Sequence, residues 1–207
     1  MIIAALPVGL IQTNCYVVGC EETKEGAVID PGGHPERILA EVERQGLTLK
    51  YVLNTHAHFD HTYANRAIVA ATGAPLALHP ADKRLLLSSG GAAAFGLQAD
   101  PSPPPDLELH DGDELEVGKI CFQVLHTPGH TPGHVCFYEP EEGVIFDGDV
   151  LFYRGVGRTD LEGGSWQQLM NSIQRVLFAL PDETVVYSGH GPATTIGEEK
   201  RLNPWLR

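Results

Sequence analysis

The segment THAHFDH, residues 55–61, places four metal-ligand side chains within six consecutive positions. It directly follows an apolar, strand-like stretch, so these side chains should project from a turn at the end of a buried strand. His56 and His58 are two positions apart and point the same way in extended backbone. Asp60 and His61 are then free to serve a second ion beside the first. Imidazole and carboxylate are the usual protein ligands of Zn, Fe and Mn, so this spacing predicts a metal site.

A similar combination of apolar strand, glycine turn and polar side chain recurs three times further along the chain. Strand ends are where α/β proteins assemble their sites. Glycine permits the close backbone approach that a crowded site needs. The sequence therefore predicts that these turns meet the first one. They are TPGHTPGH at residues 127–134, FDGD at residues 146–149 and SGHG at residues 188–191.

Hydrophobic periodicity predicts three helices and ten strands along the chain. The clearest helix is Trp166–Leu180, in which Ser165 and Gln168 form a capping box and Pro181 ends the helix. Residues 88–105 are rich in Gly, Ala and Pro and are predicted to be a loop. The other predicted helices are Pro35–Gln45 and Asp60–Ala71. The predicted strands are Ile2–Pro7, Asn14–Val18, Gly26–Ile29, Tyr51–Leu53, Leu76–Leu78, Glu114–Val117, Ile120–Leu125, Val135–Tyr138, Val144–Phe146 and Thr184–Tyr187. Mixed strands with helices between and after them favour a sandwich with helices outside two sheets.

Length and composition fit one domain that spans residues 1–207. No apolar run reaches 18 residues, so no membrane span is expected. The formal net charge of −13 argues against nucleic acid as a partner, because phosphates need a basic surface. The four cysteines form no CxxC pair, so buried free thiols and a cytoplasmic location are expected.

The motifs THAHFDH, TPGHTPGH, DGDVLF and SGH occur in an order that resembles the metallo-β-lactamase superfamily over nearly the whole chain. The resemblance implies an α/β fold, a four-layer αββα sandwich with two mixed sheets flanked by helices. The segment GVGRTD, residues 155–160, is similar to the branch that holds glyoxalase II and the persulfide dioxygenases. The C-terminal run from Gly189 resembles short, single-domain, glyoxalase II-like hydrolases.

The same resemblance implies two metal sites that share one carboxylate. The expected ligands are His56, His58 and His130 at the first site, Asp60, His61 and His190 at the second, and Asp149 as the bridge. Asp149 is favoured over Asp147 because the family pattern has its ligand after the glycine. The expected cofactor is two divalent metal ions, zinc first, with iron or manganese as alternatives.

Two of the expected ligands have a second expected role, and two further residues are expected to support the ligands. Asp60 and Asp149 are the catalytic carboxylates, since either could accept a proton late in the reaction. Asp30, at the end of a predicted strand, and His134 are expected to orient ligands, because ligating imidazoles need hydrogen-bonded neighbours.

The resemblance implies a metal-dependent hydrolase of glyoxalase II type. Its substrate would be a thioester such as S-D-lactoylglutathione, cleaved by a metal-bridging hydroxide. Arg158 stands where the glyoxalase II pattern has a lysine that contacts substrate, and Arg154 and Arg158 could bind a glutathione carboxylate. A structural ion pair of Arg158 with Asp160 or Glu162 is the alternative. The chain ends soon after His190, so the helical domain that makes glutathione contacts in glyoxalase II is expected to be missing.

Other functions remain open at this point. A mononuclear iron persulfide dioxygenase shares HxHxDH and GRTD, and a metallo-hydrolase of another ester or lactone shares the metal motif. A non-enzymatic metal-binding protein is disfavoured because every ligand position is filled.

Overall fold

The computed structural model describes residues 1–98 and 101–206, and its centre is formed by two six-stranded sheets. The first sheet has its strands in chain order, antiparallel from β1 to β3 and parallel from β3 to β6. Its strands are Ile2–Val8 (β1), Thr13–Gly19 (β2), Glu25–Ile29 (β3), Thr48–Leu53 (β4), Leu76–Leu78 (β5) and Leu107–Glu108 (β6).

The second sheet has the order β14-β13-β10-β9-β8-β7 and is antiparallel except between β10 and β13. Its strands are Glu114–Val117 (β7), Ile120–His126 (β8), Val135–Glu139 (β9), Val144–Gly148 (β10), Val185–Ser188 (β13) and Thr194–Thr195 (β14). A short hairpin beside it pairs Leu151–Phe152 (β11) with Gly155–Val156 (β12).

Helices cover the outer faces of both sheets. They are Pro35–Gln45 (α1), Phe59–Thr62 (α2), Asn65–Thr72 (α3), Lys83–Leu87 (α4), Trp166–Arg175 (α5) and Ile196–Leu202 (α6). Single turns of 3₁₀-helix occur at Pro80–Asp82, Leu177–Ala179 and Pro204–Leu206, and a longer 3₁₀ segment at Ser89–Phe95. Within the two described ranges, no helix is long and apolar enough to cross a bilayer.

Strand alternation divides the core into layers. In β2, Tyr16 and Val18 face the second sheet, whereas Val17 packs in the outer cluster that contains Ile38 of α1. In β10, Phe146 faces the first sheet, and Ile145 faces the α5 side. Because both faces of these strands are buried, each contains a continuous apolar run, Cys15–Val18 in β2 and Val144–Phe146 in β10. The predicted sandwich of two mixed sheets flanked by helices is confirmed.

All ten predicted strands are present, with ends that differ by up to three residues. The predicted helix Asp60–Ala71 is wrong in one respect, because it is split into α2 and α3. The Ala64 N–H donates to the Pro31 carbonyl at 2.8 Å instead of to the carbonyl one helical turn earlier. The Asn65 amide is drawn inward and donates to Asn54 and Ser102. Tertiary hydrogen bonds therefore interrupt a segment whose periodicity is helical.

Two other predictions, one of a helix and one of a loop, agree with the structure only in part. The helix from Trp166 ends at Arg175 and continues only as a 3₁₀ turn, although the Ser165 hydroxyl does accept the Gln168 N–H at its start. The region predicted as a loop contains the 3₁₀ segment Ser89–Phe95, and residues 99–100 lie outside the described residues. All four cysteines are free thiols, and three of them are buried.

Phe146 lies at the middle of the inter-sheet core and gives a test of this packing. It is fully buried, with ring centroids 5.1 Å from Tyr16 and 5.3 Å from Tyr187. We expect Phe146→Ala to lower the free energy of unfolding by about 3–5 kcal/mol, measured by urea denaturation. Leu10→Ala, at a side chain 81% exposed, should change it by less than about 0.5 kcal/mol. Similar losses in the two variants would contradict this layer assignment.

Candidate metal centre

The four polar turns predicted to meet do so at one edge of the sandwich. The Val135 N–H donates to the Thr55 carbonyl at 2.8 Å, which joins the end of β4 to the start of β9. The Asn14 N–H donates to the Gly189 carbonyl at 2.7 Å, which joins β2 to the turn after β13. These backbone bonds cross between the sheets. They fix the turns of both sheets against one another.

The first predicted ligand group, His56, His58 and His130, is brought together. One ring nitrogen of each lies within 4.8 Å of the others. His58 Nδ1 is 2.8 Å from His130 Nε2. His56 Nε2 is buried and has no hydrogen-bond partner. A buried nitrogen without a partner is costly, and a cation would satisfy it.

The second predicted group, Asp60, His61 and His190, is also assembled within 4.8 Å. Asp60 Oδ2 is 3.3 Å from His61 Nε2 and 3.3 Å from His190 Nε2. Thr13 donates its hydroxyl to the same Asp60 oxygen at 2.8 Å. Thr13, from β2, therefore helps to hold the carboxylate in place.

Asp149 lies between the two groups. Its Oδ1 is 3.4 Å from His61 Nε2, and its Oδ2 is 3.5 Å from His130 Nε2 and 3.7 Å from His190 Nε2. Neither Oδ1 nor His61 Nε2 has a hydrogen-bond partner of good geometry. One carboxylate is thus within reach of both groups, which is the arrangement a shared ligand needs.

Glycines permit this close approach. Gly148 has φ +50°, and a Cβ there would collide with the Thr55 hydroxyl and the His134 ring. A Cβ on Gly189 would collide with Asp149 Oδ1 and the His61 ring. Side chains at these two positions would push the turns apart.

Asp147 has a different environment from Asp149. Its Oδ2 accepts the Leu151 N–H at 2.9 Å, and it belongs to neither ligand group among the described residues. Burial raises the pKa of Asp147 well above its usual range, and the charge of Asp149 adds to the effect. Asp147 therefore stabilises the β10–β11 turn rather than the site's centre.

Hydrogen bonds on the outer ring nitrogens orient the histidines. The carboxylate of Asp30 lies 2.9 Å from His61 Nδ1, and the Arg158 carbonyl lies 2.7 Å from His130 Nδ1. The Thr55 hydroxyl lies 3.0 Å from His56 Nδ1. When each outer nitrogen carries its proton towards these acceptors, the inner nitrogen presents a lone pair to the centre.

His134 lies behind the site and supports the Asp149 turn. Its Nε2 accepts the Asp149 N–H at 3.1 Å, and its Nδ1 lies 3.0 Å from the Thr127 hydroxyl. The ring also stacks on His56, with centroids 5.0 Å apart. The structure therefore places both Asp30 and His134 where they contact predicted ligands.

The protonation states suit a cation. Burial lowers the pKa of His56 and His134 and lowers that of His58 to about 3, with the neighbouring histidines adding to the shift. Burial alone would raise the pKa of Asp60 and Asp149, but His61 outweighs it and holds both below the usual range. Neutral imidazoles and ionised carboxylates are the forms that bind divalent metals, whereas His61 and His190, whose pKa values the nearby carboxylates raise against the effect of burial, would release a proton when a metal binds.

A cleft of about 520 Å³ opens above these residues. Within the described ranges, Arg158 is the only Lys or Arg that lines it. Most of the remaining wall is apolar and comes from several elements. They are the loops around Ile11, Leu97 and Leu161, α2 with Phe59, the 3₁₀ segment with Phe95, and the β11–β12 hairpin with Phe152 and Val156. The cleft therefore offers apolar contact and one cation to a ligand above the metal groups.

The two predicted substrate arginines differ in their placement. Arg158 forms two hydrogen bonds to the Asp160 carboxylate, at 2.8 and 2.7 Å, so the ion-pair alternative is present in this structure. Arg154 does not line the cleft. Its Nη1 is 2.5 Å from the fully buried Glu199, and its backbone N–H donates to the same side chain. Arg154 is thus paired with a buried carboxylate outside the cleft lining, and its contact with substrate stays a prediction.

Three polar residues around the site were not singled out from the sequence. Thr13 and Thr55 contact Asp60 and His56 respectively, and nothing in a lone threonine marks it for this role. Asp82 is a fully buried carboxylate that joins two of the turns. The sequence did contain a signal for Asp82, because this residue closely follows the predicted strand Leu76–Leu78, as Asp30 follows Gly26–Ile29.

Comparison with known sequences agrees with this geometry. The sequence model of the metallo-β-lactamase superfamily matches residues 8–190. Hydroxyacylglutathione hydrolase GloC of Haemophilus influenzae is 41% identical, over 100% of this chain and 98% of that protein. A mitochondrial persulfide dioxygenase of Mus musculus is 32% identical, over 94% of this chain and 71% of that protein.

Solved structures share the fold at similar identity. The BLEG-1 B3 metallo-β-lactamase has a TM-score of 0.93 and 41% identity, with 99% of each chain covered. The protein TTHA1623, crystallised in a di-iron-bound form, has a TM-score of 0.91 and 44% identity, over 98% of this chain and all of that one.

The buried neutral histidines predict how the metal-free protein responds to acid. The folded pKa values of His56, His58 and His134 are lowered, so only the unfolded chain binds protons there between pH 6.5 and 5. Stability rises with pH where the unfolded state binds more protons, so it should fall on acidification. His58 alone should contribute a loss of roughly 1.5 kcal/mol at pH 5. Urea unfolding of chelator-treated protein at the two pH values measures the effect.

Other groups in this pH window do not reverse the expected sign. His61 and His190 have raised pKa values and oppose the trend slightly, because only the unfolded chain still gains protons there as the pH falls from 6.5. The carboxyl groups of Asp147 and Asp82, whose pKa values are raised, also oppose it. The pKa of His79 is lowered to about 4, so four histidines with lowered pKa values act in the expected direction. The variant His134→Gln removes one of these four and should lose less stability on acidification. A stability that stays constant or increases at pH 5 would contradict the proposed neutral cluster.

Proposed function

Since this chain belongs to the metallo-β-lactamase superfamily, we propose that it is a dinuclear metallo-hydrolase that cleaves a thioester such as S-D-lactoylglutathione. The observation that carries the proposal is the position of Asp149 between two complete three-residue ligand groups. A single metal would leave one of these groups as a buried cluster without its cation.

The residues present fit two divalent ions. His56, His58 and His130 would hold one, and Asp60, His61 and His190 the other. Asp149, 3.4–3.7 Å from ring nitrogens of both groups, would be the shared ligand. Nitrogen and oxygen donors of this kind suit zinc, iron or manganese. We take zinc as the first candidate, and the di-iron form of TTHA1623 supports iron as the alternative.

Two ions in such a site lower the pKa of water towards about 7 and polarise an acyl oxygen. The chain's own part is to hold the donors in place. Asp30, the Arg158 carbonyl and Thr55 fix the three rings from behind. The lowered pKa of Asp60 and Asp149 keeps both carboxylates ionised, which suits ligation better than proton uptake. A thiolate leaves readily, so a strong general acid is not required.

The residues that line the cleft determine which groups would contact the acyl and thiol portions of the substrate. The cleft walls are largely apolar, and Arg158 is the cation near the opening. A substrate carboxylate would have to replace Asp160, which forms two hydrogen bonds with Arg158. The 41% identity to GloC supports a glutathione thioester. A single arginine implies weaker selection of glutathione than several cations would give.

An iron persulfide dioxygenase is the second candidate, supported by the 32% identity to the mouse enzyme. The assembled group Asp60, His61 and His190 favours the hydrolase, because one iron would not need it.

The adjacent carboxylates Asp149 and Asp147 form a matched test of the shared ligand. Protein loaded with excess zinc and desalted should hold two ions per chain by elemental analysis. Asp149→Asn should reduce this number and lower hydrolysis by orders of magnitude, since it removes the only charge shared by two cations. Asp147→Asn should retain both ions. Reversed effects, or a wild-type plateau at one ion, would contradict the dinuclear proposal.

Steady-state kinetics with two thioesters would test the substrate. We expect turnover of S-D-lactoylglutathione and of a thioester without the glutathione carboxylates. Arg158→Met should raise KM for the first only, because uniform binding contacts change KM rather than kcat. Arg84→Met removes another exposed arginine, paired with Glu162, and should change neither. Oxygen consumption with glutathione persulfide, together with no thioester turnover by metal-loaded protein, would establish the dioxygenase instead.

A further inference from the structure

Asp82 is a buried carboxylate outside every metal-ligand motif. It ends the 3₁₀ turn Pro80–Asp82 that follows β5, and its side chain has no solvent exposure. It belongs to neither ligand group and forms no ion pair with a Lys or Arg in the described chain. A buried carboxylate without a cation needs hydrogen bonds to compensate for lost solvation.

Three hydrogen bonds supply that compensation, and all come from the two turns of the first ligand group. Oδ2 accepts the Ala57 N–H at 3.1 Å and the Thr131 hydroxyl at 2.7 Å. Oδ1 accepts the Gly133 N–H at 2.7 Å. Ala57 lies between His56 and His58, and Thr131 follows His130. One side chain therefore ties together the two chain segments that supply these three histidines.

Residue 133 must be a glycine because there is no room for a side chain beside Asp82. A Cβ on Gly133 would lie 2.7 Å from both the backbone nitrogen and Oδ1 of Asp82. The second glycine of TPGHTPGH thus lets the turn approach the carboxylate. The first TPGH, residues 127–130, supplies the ligand His130, whereas the second, residues 131–134, supplies two of the contacts to Asp82.

We infer that Asp82 is a positioning residue for the first metal site alone, which rests on the proposed dinuclear function. By fixing the His56–His58 turn against the His130 turn, it sets the distance between the three imidazoles before a metal binds. Partners that orient ligands in this way typically change metal affinity about 10- to 100-fold when they are removed.

The second site is oriented by different residues. Thr13 donates to Asp60, and Asp30 contacts His61 directly. Asp30 also accepts the Thr55 hydroxyl, which contacts His56, so it reaches both sites. Among the described residues, the Asp82 side chain contacts only the turns of the first site, and the Thr13 hydroxyl contacts only Asp60 of the second. Substitutions at these two residues can therefore distinguish the two sites. Removal of each should weaken a different site.

The chemistry of the three contacts indicates the variant to use. All three partners are donors, so the carboxylate acts only as an acceptor. In Asp82→Asn, an amide NH₂ replaces one acceptor and faces a donor, while the volume is unchanged. Thr13→Val is the matched control, because it removes one hydrogen bond to Asp60 and also preserves volume.

The experiment measures occupancy at each site rather than activity. Crystals of each protein are prepared with increasing zinc, and anomalous scattering gives the zinc occupancy of the two sites separately. Competition with a chelator gives the two dissociation constants in solution. We expect Asp82→Asn to weaken the His56–His58–His130 site about 10- to 100-fold and leave the other nearly unchanged. Thr13→Val should show the opposite preference.

Each outcome has a distinct meaning. Equal weakening of both sites by Asp82→Asn, or none, would overturn the positioning role. If Asp82→Asn does not fold, Thr131→Val removes one of the same three hydrogen bonds and should weaken the same site to a smaller extent. Wild-type protein that binds no second ion would refute the proposed function instead, and first-site occupancy would still report on Asp82.

Discussion

The carboxylate of Asp149 lies 3.4–3.7 Å from ring nitrogens of His61, His130 and His190, which come from three different turns. Holding a carboxylate in that position requires the backbone of each turn to approach closely. Gly148 and Gly189 provide the space, and the Val135–Thr55 hydrogen bond joins the sheets behind them. The strand ends of both sheets are thus fixed by the geometry around one buried anion.

Burial of so many polar groups costs free energy. Hydrogen bonds to the atoms that face away from the centre of the site offset part of that cost. The outer nitrogens of His56, His61 and His130, and the oxygens of Asp30 and Asp82, form hydrogen bonds to neighbouring groups. The inner atoms, including His56 Nε2 and Asp149 Oδ1, do not. An unsatisfied buried polar atom is destabilising, so the metal-free chain holds a site whose missing stabilisation a cation would supply. Preorganisation of this kind favours tight binding because little is left to rearrange.

The floor and the walls of the cleft have different origins. The floor is built from strand ends that the two sheets hold rigidly. The walls come from several elements, because loops contribute Ile11 and Leu161, α2 contributes Phe59, and the β11–β12 hairpin contributes Phe152 and Val156. None of these wall residues belongs to either metal-ligand group. A substitution in the wall can therefore change which ligand fits the cleft without replacing a metal-ligand side chain.

Strand periodicity, glycine turns and ligand spacing are local patterns, so the sequence alone was enough to name the ten strands and the turns that meet at the site. The division of the ligands into two three-residue groups came instead from the resemblance to the superfamily, because each group draws on turns far apart in the chain. Three features could be seen only once the chain was folded, namely the break between α2 and α3, the pairing of Arg154 with Glu199, and the contacts of Asp82 with two turns. These depend on which groups meet across the packed sheets, such as Ala64 with Pro31 or Asp82 with Thr131. The residues on either side of a side chain do not indicate a partner that lies dozens of positions away. The packing of the folded chain determines which partner it meets.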